Sequence, residues 1–269
     1  MMLPVFKYDK KEMQMVSHLT RIRKNNMSRI IILVIILFPL IEIGQLIGLR
    51  NTTGENFHPA FASFLSGASQ GHITQILLLW FLPIYFLLVV SDDSIMDYLT
   101  GYRNILISKV GKKKYLLEKM ITSFLVGFGV MAIALTLNVI ITSVVFQGGD
   151  SMRGMEEMTF DDNTLFHFGI THRYIMAIIF IFITSFYTGL VSLLGASMSL
   201  LFLNKKLAYP ATFFIWFFFI LQNKSIMLLF QPFAEYGISD LLGIFIASLL
   251  TFIIIPILVY IYEARYAED

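Results

Sequence analysis

Residues 30–49 read IIILVIILFPLIEIGQLIGL, twenty positions that carry a single charge, Glu42. At a rise of about 1.5 Å per residue, such a run makes a helix about 30 Å long, the thickness of the hydrocarbon core of a bilayer. It has no polar stripe of the kind a water-soluble amphipathic helix turns to solvent. It begins only after a long polar and basic segment, and it is longer than the apolar core of a cleavable leader, so it reads as a retained span.

Five more runs of this kind follow, at residues 73–90, 116–146, 174–203, 207–221 and 241–262. The third and fourth spans are long enough to tilt or protrude. The fifth is short and follows Lys205 and Lys206. At 57% hydrophobic and 14% charged, the chain lacks the polar groups to cover a globular surface. The fold expected is all-α and integral to a membrane: six spans in one transmembrane domain over residues 1–269. An even number of spans puts both termini on one side. Sixteen of the twenty Lys and Arg then fall on that side, against Arg50, Arg153, Arg173 and Lys224 on the other. Cytoplasmic loops carry such an excess, which orients the chain N-in and C-in, as a multi-pass protein of a bacterial cell membrane.

Two connecting segments are patterned. Within residues 8–29, Met15, Val16, Leu19 and Ile22 share one helical arc, and Lys11, Gln14, His18 and Arg21 the other. An amphipathic helix on the inner leaflet, held by anionic lipids, is expected there. Residues 225–240 carry the apolar patch Ile226, Met227, Leu228, Leu229 and Phe230, broken by Pro232 and Gly237. The patch is too short to cross and predicts an external re-entrant or interfacial helical hairpin between spans five and six.

Several kinds of chemistry drop out. There is no cysteine, hence no disulfide, thiolate metal site or cysteine nucleophile. Residues 110–114, VGKKK, lack the leading glycine and the Ser/Thr of a phosphate-binding loop, so the chain has no ATPase site of its own. His167 and His172 lie five apart and no HExxH occurs, so no metal site is expected. Glu156 and Glu157 lack the partners of a membrane glutamate protease, and no serine elbow is present. The expectation is no catalytic residue, no cofactor bound by this chain and no nucleic-acid partner.

Inside the spans, Glu42 with Gln45 forms a candidate polar site, because an intramembrane carboxylate must face protein or water; a structural hydrogen bond is the plainer reading. Ser185, Gly189, Ser192, Ala196 and Ser199 recur at steps of four and three, a small-residue seam that admits a close helix from this chain or another subunit. The aromatic run at residues 213–219 reads as lipid and helix contact.

Residues 91–119, SDDSIMDYLTGYRNILISKVGKKKYLLEK, are too long and too patterned for a simple connector. They open with acids, pass a glycine and Arg103, run through Ile105, Leu106 and Ile107, and end in a basic cluster. This segment resembles the coupling loop of ABC-2 type transporter permease subunits. The matching positions are Asp97, Gly101, the apolar Ile105, Leu106 and Ile107, Ser108 and Val110 in the turn, Lys112, Lys113 and Lys114, and Lys119 opening the next span. Lys109 stands where a proline is common, and Asp97 where glutamate is more usual. Six spans, inside termini, the N-terminal helix and the outer hairpin agree with the same family. The resemblance implies the permease subunit of an ATP-driven exporter in the branch for antimicrobial-peptide or lantibiotic export or immunity. A separate ATPase subunit would dock on the loop and supply ATP and Mg. A second permease copy or paralogue would complete the pathway, and the substrate would be a membrane-active peptide, drug or lipid. The alternatives are a secondary transporter using Glu42, an intramembrane enzyme, or a non-transporting membrane partner of an ABC system.

Overall fold

The computed structural model describes residues 13–67, 72–152, 154–155 and 163–265, and apart from one isolated bridge between Phe57 and Ser151 their regular structure is helical. The helices are α1 Met13–Lys24, α2 Asn26–Thr53, α3 Ile73–Trp80, α4 Leu82–Leu99, α5 Tyr102–Val110, α6 Lys112–Val145, α7 Thr164–Thr171, α8 Arg173–Phe202, α9 Lys205–Ile220 and α10 Ile238–Arg265. Four of them, α2, α6, α8 and α10, are long and apolar enough to cross a membrane. The pair α3 and α4, bent by 51°, makes a fifth. Helix α9, the expected span 207–221, has 16 residues and is about 24 Å long.

Side-chain contacts fix the directions of the helices. Ser28 meets Val89 and Glu42 meets Thr74, so α2 runs against α3 and α4. Asn138 reaches the Pro39 carbonyl and Arg50 the Val145 carbonyl, so α6 runs with α2. Tyr209 meets Asp92 and Trp216 meets Leu79, so α9 opposes the bent pair. The bundle therefore has a basic end, with α1, α5, the α8–α9 connection and the last turn of α10, and a far end formed by the connections after α2, α6 and α9.

Helix α8 is the axis. Its small-residue seam is buried throughout, and the neighbour is α6 of the same chain: the Ser192 hydroxyl donates to the Ser123 carbonyl at 2.8 Å. A Cβ on Gly127 would stand 2.7 Å from Ser192 Cβ, and one on Gly189 2.8 Å from the Phe124 ring, so each glycine is the space the other helix occupies. The boundary after α8 falls where the spans predict it, at Leu203, with Asn204 capping α9 by accepting from the Lys206 amide.

The bent span contains two π-helical turns, Ile76–Trp80 and Leu87–Ser91. Such turns disturb the carbonyl ladder, and a lipid environment offers no water to replace it. Side chains fill the gap: Tyr85 donates to Leu77 O at 3.0 Å, Trp216 Nε1 to Leu79 O at 3.1 Å, and Ser28 to Val89 O at 3.0 Å.

Two expectations change and one feature is new. Residues 225–240 form one 3-10 turn, Ile226–Phe230, followed by non-helical residues 231–237, instead of a helical hairpin. The patch is still buried, with Phe230 5.7 Å from the Tyr187 ring and 6.2 Å from Trp216, because insertion into the bundle satisfies it without a second helix. The segment that folds in at the far end most deeply is unforeseen: Ala60, Phe61, Phe64 and Leu65 are buried, the Phe64 amide donates to Asn138 at 2.8 Å, and Gln75 donates to the Phe64 carbonyl. In α1 the expected faces hold only in part: Ile22 is buried, as its apolar arc requires. His18 is buried as well, Arg21 pairs inward and Leu19 is 43% exposed, because the buried Asp97 of α4 draws the polar arc onto the bundle. The side chains of Lys11, Gln14, Met15 and Val16 lie outside the described residues.

Candidate functional site at the basic elbow

Residues 91–119 are almost wholly helical: the end of α4, all of α5 and the start of α6, joined at Gly101 and Gly111. Both glycines adopt positive φ, +70° and +85°, which L side chains rarely reach, so the two sharp reversals depend on them. The result is an elbow held to the bundle by ion pairs.

Asp97 is the hub. Arg21 of α1 donates to both of its carboxylate oxygens, at 3.1 and 2.7 Å, a two-pronged pairing that suits the guanidinium plane. Lys119 of α6 lies 3.2 Å away and the Tyr115 hydroxyl donates at 3.4 Å. Asp97 and Lys119 are 1% and 3% exposed, so the pair sits where a charge without a partner is costly. Asp93, one turn earlier on α4, is 3.7 Å from Arg21. Two carboxylates four apart on one helix face repel, and the cations of α1 and α6 offset that. His18 packs beside Tyr115 with ring centroids 6.2 Å apart. Burial pushes its pKa down to about 3; Lys119 and Arg21 act in the same direction and Asp97 opposes them. His18 is therefore neutral at physiological pH.

Two further clamps extend the belt. Arg103 of α5 donates to Glu263 of α10 at 2.9 Å, both buried. Asp92 of α4 accepts from Lys205 and from Tyr209 of α9, each at 2.6 Å. Lys114 pairs with Glu118 one turn on, at 3.6 Å. Charge pairs thus join α1, α4, α6 and α9 at this end and, separately, α5 with α10.

The elbow residues expected to meet a partner divide into two sets. Asp97, Arg103, Leu106 and Lys119 are buried within the elbow. Gly101, Ile105, Ser108 and Lys113 are exposed, while Val110, Lys112 and Lys114 are half-buried. With them the elbow turns out Met96, Tyr98, Leu99 and Tyr102, which are 39% to 66% exposed. Beside them an open groove of about 440 Å³ is lined by Arg21, Met96, Asp97, Thr100, Tyr102 and Ile105. Reading the segment alone missed Arg21, Tyr115 and Glu263 as partners. The available signal was the trio of aspartates at the end of an apolar span, which demands cations from elsewhere.

The other candidates separate. Glu42 is fully buried and accepts from Thr74 Oγ1 at 3.1 Å, near buried Gln75; Gln45 is exposed and does not join it. Glu156 and Glu157 lie outside the described residues. His167 sits in α7, and His172 caps it and stacks on Phe168 at 4.8 Å. No group of three or more His, Asp or Glu able to hold a metal occurs among the described residues.

The helices and their apolar lengths define a polytopic α-helical membrane protein with a charge-braced elbow at its basic end. Over 255 residues the chain is 50% identical to Uncharacterized protein YybM of Bacillus subtilis (strain 168), which covers 95% of this chain and 100% of the relative, and it belongs to that family. No family model and no solved structure matches the chain. The relative agrees with a bacterial origin.

Proposed function

We propose that the chain is the membrane subunit of an ATP-driven exporter, coupled to a separate ATPase that docks on the elbow. The observation that carries the reading is the division of labour in residues 91–119. An outer face with Tyr98, Leu99, Tyr102 and Ile105 exposes apolar area of the kind protein partners cover. The inner face ties the same elbow to α1, α6 and α10 through Asp97 and Arg103. A push on the outer face would move several helices as one body, which is what coupling by rigid-body motion requires.

In this reading the chain crosses the membrane six times, counting α3 with α4 as one span and α9 as the shortest. The basic end, with both termini, faces the cytoplasm of a bacterial cell, in accord with the excess of Lys and Arg there. ATP and Mg belong to the partner ATPase, a second copy or paralogue completes the pathway, and the substrate is an amphipathic peptide, drug or lipid. A photo-cross-linking residue placed at Leu99 or Ile105 in cells tests it: the adduct expected is a protein carrying nucleotide-binding motifs, and adducts with lipid alone would contradict the reading.

A second reading rests on Glu42, a fully buried carboxylate in a span. A secondary transporter would lose ion-driven uptake or efflux in Glu42→Gln with no ATPase present.

A further inference from the structure

A second groove lies away from the elbow's outer face, between α6, α8 and α10. Leu117, Met120, Ile121 and Phe124 form one wall, Ile253, Pro256, Ile257 and Tyr260 the other, and Leu193 the floor. The space measures about 300 Å³ and its lining is wholly apolar. Pro256 contributes to its shape, since a proline within a helix leaves a local gap in the backbone ladder.

The charges at its mouth identify what fills it. Lys113 lies one turn before Leu117 on the same face of α6, and it is exposed. Arg265, at the end of α10, lies five residues beyond Tyr260, about 140° round the helix, and so belongs to another face. The acidic residues of the same rim are already matched, Glu118 by Lys114 and Glu263 by Arg103. The mouth therefore keeps a net positive charge, while the interior, one to three turns deeper, offers only hydrocarbon contact. Tyr260 stands between the two regions, where the amphipathic ring of a tyrosine is favoured at a membrane boundary.

We propose that this groove binds one acyl chain of an anionic phospholipid, with the headgroup phosphate on Lys113. The occupant follows from charge complementarity: an apolar slot with a cationic rim matches a lipid whose tail is apolar and whose head is negative. Anionic lipid would wedge between α6 and α10 beside the Gly127–Gly189 contact, and so influence how those helices pack. The inference rests on the chain lying in a bilayer and does not depend on the ATPase reading.

Native mass spectrometry of the delipidated protein, titrated with phosphatidylglycerol or phosphatidylcholine, tests it. Expected are one tightly retained phosphatidylglycerol per chain and at least a several-fold preference over phosphatidylcholine. In Lys113→Glu that preference should fall to parity, and Ile257→Trp, which fills the slot, should lose the retained lipid of both kinds. Equal retention of the two lipids by the wild-type chain would overturn the proposal. So would a retained lipid that Ile257→Trp leaves in place. A homodimer cross-linked through a cysteine at position 257, with no lipid retained, would also overturn it and assign the groove to a second copy. Variants that unfold are recognised by loss of the thermal transition, and Ile257→Val, which empties the slot by one methylene, then serves in place of tryptophan, with weaker retention expected.

Discussion

Removing the Asp97 charge leaves Lys119, 3% exposed, with no carboxylate at 3.2 Å and Arg21 with no fork to grip. A buried charge deprived of its partner costs roughly 3–5 kcal/mol, so Asp97→Asn should lower the thermal unfolding temperature in detergent sharply. Adding Lys119→Met to that variant should restore part of the loss, because the orphaned cation is gone. His18 carries the pH dependence of the same cluster, facing Lys119, Arg21, Asp97 and Tyr115. Its pKa is about 3 in the folded chain and 6.5 in the unfolded one. Between those values the unfolded state binds more protons, so the stability His18 allows is present above pH 6.5 and is lost as the pH falls toward 3. Unfolding temperatures of the wild type and His18→Gln, compared at pH 7.5 and 5, should show the larger acid loss in the wild type. These pairings were only half legible in the sequence. Asp97 and Lys119 stood out in residues 91–119, whereas Arg21 lies 76 positions from Asp97 and Glu263 lies 160 from Arg103. No local spacing encodes such contacts.

Among elements, the seam between α6 and α8 makes the sharpest distinction. A methyl group on Gly127 would stand 2.7 Å from Ser192 Cβ and 2.9 Å from the Thr188 carbonyl, while one on Gly129 meets nothing within 4 Å. Gly127→Ala should therefore destabilise by about 1–3 kcal/mol, an overpacking cost, with Gly129→Ala neutral or slightly stabilising. Thermal unfolding of the two single variants decides between seam and lipid-facing surface at those positions. Spans 116–146, 174–203 and 241–262 were legible because apolar length alone marks them, and helices α6, α8 and α10 fall within about four residues of those limits. The bend between α3 and α4 was not, since the π turns at Ile76–Trp80 and Leu87–Ser91 depend on carbonyl acceptors for Trp216 and Ser28, both distant in sequence. The inward fold of residues 60–65 also escaped. Its signal was present: PAFASFL, at residues 59–65, is an uncharged stretch of small and aromatic residues too short to span.

For the molecule as a whole, the absence of cysteine makes topology directly measurable. Single cysteines at Lys109 and Gln147, both exposed, lie at the basic and far ends. In intact cells a membrane-impermeant thiol reagent should label the cysteine at 147 and spare the one at 109 until the cells are opened. The reverse pattern would invert the orientation and remove the elbow from the cytoplasm. The central claim, that the elbow couples the bundle to an ATPase, meets its most direct test in purification of the full chain in mild detergent from its own host, beside the Leu99→Asp, Ile105→Asp variant. The account predicts a stoichiometric nucleotide-binding subunit and ATP hydrolysis with the wild type, and loss of both with a variant that still folds and inserts. A wild-type chain that purifies free of any nucleotide-binding protein and hydrolyses no ATP would contradict it.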